Sequence, residues 1–538
     1  MPSMFVLMTT QGECSIFQIT PFYLLLMEIK IYSILILMSV LSTNVLLAEN
    51  VKAVKNVSEL IAAVENLNPG DVVRMADGNY PDVQLISRCN GNAENPVRIE
   101  AQNPGKVTFS GNTKVELRGT YTTLAGIYFK DGNRNLDEWD THGPGLVAIY
   151  ASHCRVTECL FFQFDKAQSA YITTSLDGQG NVPQYCRIDH CAFIQKTTFD
   201  QVINLNNTRK KTIEGESAPA MYHRIDHCYF SNPKKAGNAG GGIRIGYWRK
   251  DLGRCLVDNN VFERQDSEAE IVTSKSRENV YYNNLFLNCQ GTLNFRHGDD
   301  QVALCNSFIG TDTKHGYGGM FIWGSGHLIA NNYFNLSTTI KDRGNAAIYF
   351  NPGLKGDEHA LAYNISCIRN IFDNTNGTDI HLFPLLDRRV EVYGKEKVEL
   401  PFDIRFIENA FVNNNPQHLC VKMQSQKEIW ENNVFSGGQS GVSSSEKGFG
   451  NASFDVKAKN GQYSISNMKR LKDKDIVSHM VISQIEGINL DFTNIVLKNQ
   501  AGATITKEQT GPTWAKDNLP GEYAQTGKWE LIKRKDNK

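Results

Sequence analysis

From about residue 120 to Phe435 the chain repeats one phrase: a short alternation of apolar and polar residues, then Asn or Cys, one further residue, and Phe. It reads CRVTECLF, CRIDHCAF, HRIDHCYF, CLVDNNVF, VYYNNLF, VALCNSF, LIANNYF, CIRNIF, IRFIENAF and IWENNVF. The phenylalanines are Phe161, Phe193, Phe230, Phe262, Phe286, Phe308, Phe334, Phe372, Phe411 and Phe435, at gaps of 32, 37, 32, 24, 22, 26, 38, 39 and 24 residues. The shortest gaps approach one coil of a parallel β-helix, and the longer ones add loops to the same unit. One such coil cannot bury its own apolar face, but stacked coils share a continuous core, with the Asn or Cys before each Phe forming a ladder at one turn. A propeller needs several strands per repeat, which the short gaps cannot hold. The pattern therefore predicts an all-β solenoid, a single-stranded parallel β-helix.

The ends depart from the repeat. Apolar residues at helical spacing from Val57 to Leu67, stopped by Asn68, Pro69 and Gly70, predict a short helix capping the open end of the solenoid. Beyond Phe435 the pattern weakens, so residues 49–538 read as one domain whose last part, 440–538, forms less regular closing coils or a cap. Residues 1–48 read as an export segment. From Met27 the run MEIKIYSILILMSVLSTNVLLA has a lysine, an apolar core of signal-peptide length and a cleavable small residue at Ala48. Residues 1–26 have no comparable logic, which makes Met27 an alternative start, and a retained signal anchor is the competing reading. A periplasmic or secreted protein is expected, and no other apolar run is long enough to span a bilayer.

Composition narrows the partners. With 56 basic and 57 acidic residues the net charge is −1, so nothing global attracts nucleic acid or anionic membrane, and a polyanion site has to be a local patch. Twelve cysteines in an exported chain would ordinarily imply disulfides. Here Cys159, Cys191 and Cys228 sit where later repeats carry Asn, and Cys154 and Cys186 form a second column. They read as buried thiols, with a CxxxxC zinc site as the weaker alternative.

Loops on one side of a solenoid build its binding surface. Long repeats end at Phe193, Phe230 and Phe262 and again at Phe372 and Phe411, flanking short coils and predicting a groove with a flat floor. In that floor lies DSEAEIVTSKSRENVYYNNLFLNCQGTLNFRH, from Asp266 to His297. Glu268 and Glu270, two apart, would project from one strand face. Arg296 follows Lys275 by 21 residues, nearly one short coil, which would stack the two on neighbouring rungs. Glu268, Glu270 and Asn238, in GNAGGGIRIGYW, offer the hard oxygen ligands that calcium takes; a solvated strand face is the alternative. Abstracting the proton beside a uronate carboxylate builds charge that a cation stabilises, and a lysine whose pKa is lowered by neighbouring cations can be the base. A hydrolase pair is missing, because both glutamates leave one strand with no carboxylate opposite.

NAGGGIRIGY, QDSEAEIVTSKS, NCQGTLNFRHGD, GYGGMFIWGS and RGNAAIYFNPG resemble polysaccharide lyase family 6, and within it the chondroitinase B group, which acts on dermatan sulfate. The resemblance starts near Val72, is densest from His142 to Arg389 and thins towards the C-terminus. It implies a right-handed parallel β-helix, a calcium ion held by Asn238, Glu268 and Glu270, Lys275 as base at carbon 5 and Arg296 as acid towards the leaving oxygen at carbon 4. Arg388 and Arg389 fall where that pattern reads sulfate, and His142, Arg244, Tyr247, His297, Arg343 and Glu358 match its groove positions. Phe321 and Trp323 form a sugar-stacking platform on this reading, or pack in the core. The implied partner is a sulfated glycosaminoglycan, cleaved by a monomer. Alginate lyases share the calcium, lysine and arginine, so alginate is the rival substrate. A non-catalytic glycan-binding β-helix is the rival of another class. TRKKTIEGESAPAMYH and the region after Arg389 depart from the pattern.

Overall fold

The computed structural model describes residues 50–132, 143–164, 170–207, 218–234, 240–313, 315–339, 345–357, 359–422, 427–443, 447–516 and 519, with the backbone of 5–8 and 14–17. The chain divides into two compact units, Met1–Asn50 and Val51–Lys538. In the first, Phe5–Met8 pairs antiparallel with Cys14–Phe17. The export core from Met27 to Ala48 lies outside the described residues.

The second unit is a right-handed parallel β-helix. Three sheets of 14, 14 and 12 strands run its length, each coil giving one strand to each sheet. Many strands have three residues, and side chains alternate between the shared core and the outside, as period two dictates: in the third sheet the outer two enter the core, in the first and second the middle one. The repeated phenylalanines belong to the second sheet and stack ring on ring: from Phe161 to Phe411 neighbouring centroids lie 4.7–5.0 Å apart. Phe435 pairs with Phe411 in the sheet but leaves the stack, where Phe411 meets Phe449 instead at 5.1 Å.

At the turn before each of these phenylalanines the expected ladder is present. Asn260, Asn284, Asn306, Asn332, Asn370, Asn409 and Asn433 are buried, and each Nδ2 but the last donates to the next Oδ1 at 2.9–3.0 Å. Cys159, Cys191 and Cys228 occupy the same place earlier, and Cys228 N donates to Asn260 Oδ1 at 2.9 Å. The residue before each ladder position turns the chain through left-handed backbone, which explains the recurrent Asn there: Asn259, Asn283, Asn331 and Asn432 have φ of 52–55°. The described cysteines are all free, and all but Cys89 are buried.

Helix α1 (Val57–Val64) closes the N-terminal end against the first strands, burying Leu60 and Val64. Asn56 caps it, its side chain accepting from Glu59 N at 2.9 Å. It ends three residues before the expected Leu67. The strands that build the groove belong to the third sheet: β1 (Ile243–Ile245), β2 (Glu270–Ser274), β3 (Thr292–Phe295), β4 (Met320–Ile322) and β5 (Ala346–Phe350). A further helix, α2 (Leu386–Tyr393), follows the next coil.

Candidate active site

Register assembles the site. Ser274 pairs with Phe295 across β2 and β3, so Lys275 and Arg296 leave their strands at matching positions on neighbouring rungs. Lys275 N donates to Ile245 O and Arg296 N to Ser274 O, both at 2.9 Å, and Trp323 N continues the series to Phe295 O at 3.0 Å. The outward middle positions of the same strands make one buried column, Arg244, Thr273, Asn294, Phe321 and Tyr349.

The two glutamates do not share a strand face as their spacing suggested. Glu268 lies in a bend before β2, and β2 carries a bulge: Glu270 pairs with Thr292 while Val272 pairs with Leu293, leaving Ile271 extra. Gly291 makes room for it, since a Cβ there would lie 2.7 Å from Ile271 Cγ1. The buried Glu270 carboxylate accepts from Thr273 Oγ1 at 3.0 Å and from Arg296 Nη1 in a close ion pair.

Lys275 is half-buried, and its partial desolvation pulls its ammonium down to about 8. Arg244 is the next largest cause and Arg296 a smaller one, while Glu270 and Glu268 oppose them. The main lowering cation is thus Arg244, with Arg296 secondary. Tyr247 lies beneath both cations, its ring centroid 5.5 Å from Lys275 Nζ and 5.2 Å from Arg244 Cζ. His297 is held neutral: burial first, then Lys275 and His359, lower it to about 2.

Next to Arg296 opens a cavity of about 530 Å³ lined by Arg296, Phe321, Trp323, His359, Arg388 and Arg389. The expected Arg-Arg pair is split by α2, where successive residues point about 100° apart: Arg388 is exposed, while Arg389 lies half-buried over Trp323, its Cζ 4.3 Å from the ring centroid. Arg389 Nε and Nη1 are buried without hydrogen-bond partners, and burial lowers its pKa. Trp323 and Phe321 are 2% and 6% exposed, so the Trp323 face expected to stack a sugar is covered by Arg389 and His359. His142, Asn238, Arg343 and Glu358 lie outside the described residues.

Two residues escaped the sequence reading. His359 packs edge-on to His297 at 5.3 Å and hydrogen-bonds Asp357 Oδ1 through Nδ1 at 2.7 Å. Asn294 is fully buried with both side-chain polar atoms unpartnered. A polar residue at the outward position of TLNF, one rung from Thr273, was the signal for it.

Glu268 and Glu270 suit a hard cation. Both are carboxylates, both act electrostatically on Lys275, and Gly241 lets the preceding coil approach them, since a Cβ there would meet Glu270 O at 2.8 Å. Among the described residues lining the cavity there is no carboxylate.

A family model described as Chondroitinase B matches residues 54–491. The chain belongs to the chondroitinase B family. Solved structures similar to this family member include "PL6 family alginate lyase AlyGC", at 22% identity and a TM-score of 0.69 over 89% of this chain and 60% of that one. A mannuronic acid specific polysaccharide family 6 lyase from human gut microbiota matches at 24% identity and TM-score 0.59, over 75% and 91% of the two chains. The PL6 family polysaccharide lyase Pedsa3628 from Pseudopedobacter saltans matches at 19% and 0.57, over 71% and 92%. The chain thus spans about 60% of the length of the first of these structures. At such identities the likeness carries the fold. No curated protein matches.

Proposed function

We propose that this protein is an exported polysaccharide lyase that cleaves dermatan sulfate by calcium-assisted β-elimination at the uronic acid, acting as a monomer in the periplasm or outside the cell. The observation that carries the reading is the matched register of Lys275 and Arg296 on neighbouring rungs, beside a cavity lined by three arginines. Lys275, held near 8, is neutral in about a tenth of molecules at pH 7 and can take the proton from carbon 5. Arg296, one rung on, faces the leaving oxygen at carbon 4. A calcium ion held by Glu268 and Glu270, with Asn238, would supply charge stabilisation to the uronate carboxylate. His297, neutral in this setting, can hydrogen-bond the sugar without adding charge.

Elimination is favoured over hydrolysis because Glu270 is committed to Arg296 and Thr273, and no carboxylate faces it from the described cavity wall. Substrate choice rests on the second half of the cavity. Arg389 has two buried donors without partners, and Arg388 lies exposed beside it, an arrangement suited to the planar, multidentate pairing of arginine with sulfate oxygens. The similar alginate lyase and mannuronic acid specific lyase favour a second reading, an alginate lyase. Incubation with dermatan sulfate, chondroitin sulfate and alginate, followed by the ultraviolet absorbance of the unsaturated product, separates the two. Product from dermatan sulfate is expected; product from alginate alone overturns the first reading, and binding without product from any polymer returns the chain to the glycan-binding class.

A further inference from the structure

Where the third sheet ends, its last two strands carry chemistry unrelated to the groove. β6 (Thr378–Leu382) pairs in parallel with β7 (Leu419–Lys422), Thr378 against Leu419 and Ile380 against Val421, so Asp379 and Cys420 face each other on adjacent rungs. His418, just before β7, brings Nε2 to 2.8 Å from Asp379 Oδ2. One ligand atom from each of the three residues lies within 4.8 Å of the others, and the residues are 2%, 5% and 0% exposed. On the preceding rungs the same corner is filled by Ala347 and Gly319, and a Cβ on Gly319 would meet Ala347 O at 2.0 Å. The corner that holds only Ala347 and Gly319 on the two preceding rungs here encloses a carboxylate, an imidazole and a thiol.

We infer that Asp379, His418 and Cys420 form a structural site for a thiophilic divalent cation of the zinc class, clasping the last two coils of the third sheet. The donor set decides the class. Calcium takes oxygen ligands, whereas one sulfur, one nitrogen and one oxygen in a compact cluster match the ligands of tetrahedral zinc, with the fourth position left to a water or a backbone oxygen. The other cysteine columns provide the contrast: Cys159 and Cys191 donate their thiols to strand carbonyls at 3.3 Å, whereas Cys420 faces the carboxylate and imidazole. A buried carboxylate needs a counter-charge. Without a metal, burial pushes both Asp379 and Cys420 up towards their protonated forms. Binding exchanges the Cys420 thiol proton, and that of Asp379 where present, for the metal, so uptake releases acid and weakens as pH falls. The site stands on residues outside the groove and is independent of the proposed lyase reaction.

The test uses the full chain expressed with zinc supplementation and dialysed into calcium buffer. Elemental analysis is expected to find about one zinc per chain in the wild type and less than about a tenth of that in Cys420→Ser. Cobalt(II) added to chelator-treated wild type should give a thiolate-to-cobalt charge-transfer band that Cys420→Ser lacks. Wild-type protein that retains no zinc and shows no such band overturns the site, leaving an Asp–His hydrogen bond beside a buried thiol. Should Cys420→Ser fail to fold, the wild-type zinc content and cobalt spectrum decide alone.

Discussion

The first and third sheets use the same rung spacing for opposite ends. On the first sheet Arg155, Arg187 and Arg224 occupy successive rungs, and each guanidinium bonds the aspartate of the next coil, Asp189, Asp226 and Asp258, at 2.6–2.7 Å. His190 and His227, their rings 4.9 Å apart, add a bond to Asp189 and Asp226. Burial would raise Asp189 and Asp226, but these partners outweigh it and hold both carboxylates below their usual range. Asp258, the last of the three, is raised by burial despite Arg224. On the third sheet the column through Arg244, Thr273 and Asn294, with the neighbouring Arg296, holds polar atoms without partners: Arg244 Nε, Arg296 Nε and both ends of the Asn294 amide. One ladder satisfies its charges internally and contributes stability; the other leaves groups unsatisfied at a cost in stability and keeps them for a ligand.

The sharpest test is Lys275→Ala. It is expected to lower kcat by about 10³-fold or more while leaving oligosaccharide binding and Tm near wild type. A loss of Tm as large as that of a first-sheet variant would erase the contrast. Arg296→Ala should cost about 10²-fold in turnover, and because it releases Glu270 it should also tighten calcium binding about tenfold by calorimetry. Weaker calcium binding would show that the ion pair and the cation do not compete. On the first sheet, Asp226→Ala strands two arginines and should lower unfolding free energy by about 3 kcal/mol, with kcat per folded molecule unchanged. That figure is at the low end for a broken buried pair because the arginines stay partly exposed.

Asn294→Leu should do the reverse, raising unfolding free energy by about 1 kcal/mol while lowering kcat/KM, since it removes an unsatisfied buried amide from the third-sheet column. The smallest effect concerns pH. The rising limb of kcat/KM should level off near pH 8 as Lys275 loses its proton. Arg244→Ala removes the largest neighbouring positive charge and so stabilises the ammonium, moving that limb to higher pH by less than about one unit. A shift to lower pH would assign the limb to another group.

Much of this was legible in the sequence, because a solenoid writes its register into its repeat. The phenylalanine spacing located the second sheet, the Asn and Cys positions located the ladder, and 21 residues between Lys275 and Arg296 placed them on neighbouring rungs. What failed to show depended on contacts between coils. The bulge at Ile271 is accommodated by Gly291 on the following coil, so the strand containing Glu270 gives no hint that Glu268 falls in a bend. The division of labour between Arg388 and Arg389 required a helix in a stretch without core-facing periodicity, and the covering of Trp323 required that helix to fold back over β4. His359 has no repeat position at all; only the folded loop brings it to His297.

The asparagine ladder has a consequence for how such a molecule changes over time. Its amide bonds keep to 2.9–3.0 Å, although the gaps between the phenylalanines beside it range from 22 to 39 residues. Position is therefore counted in rungs and not in residues, so insertions can lengthen the groove walls while Lys275 and Arg296 keep the same address. Substrate range can drift through loop length without touching the proposed base and acid, and the unit that can be lost or gained without breaking the count is a whole coil.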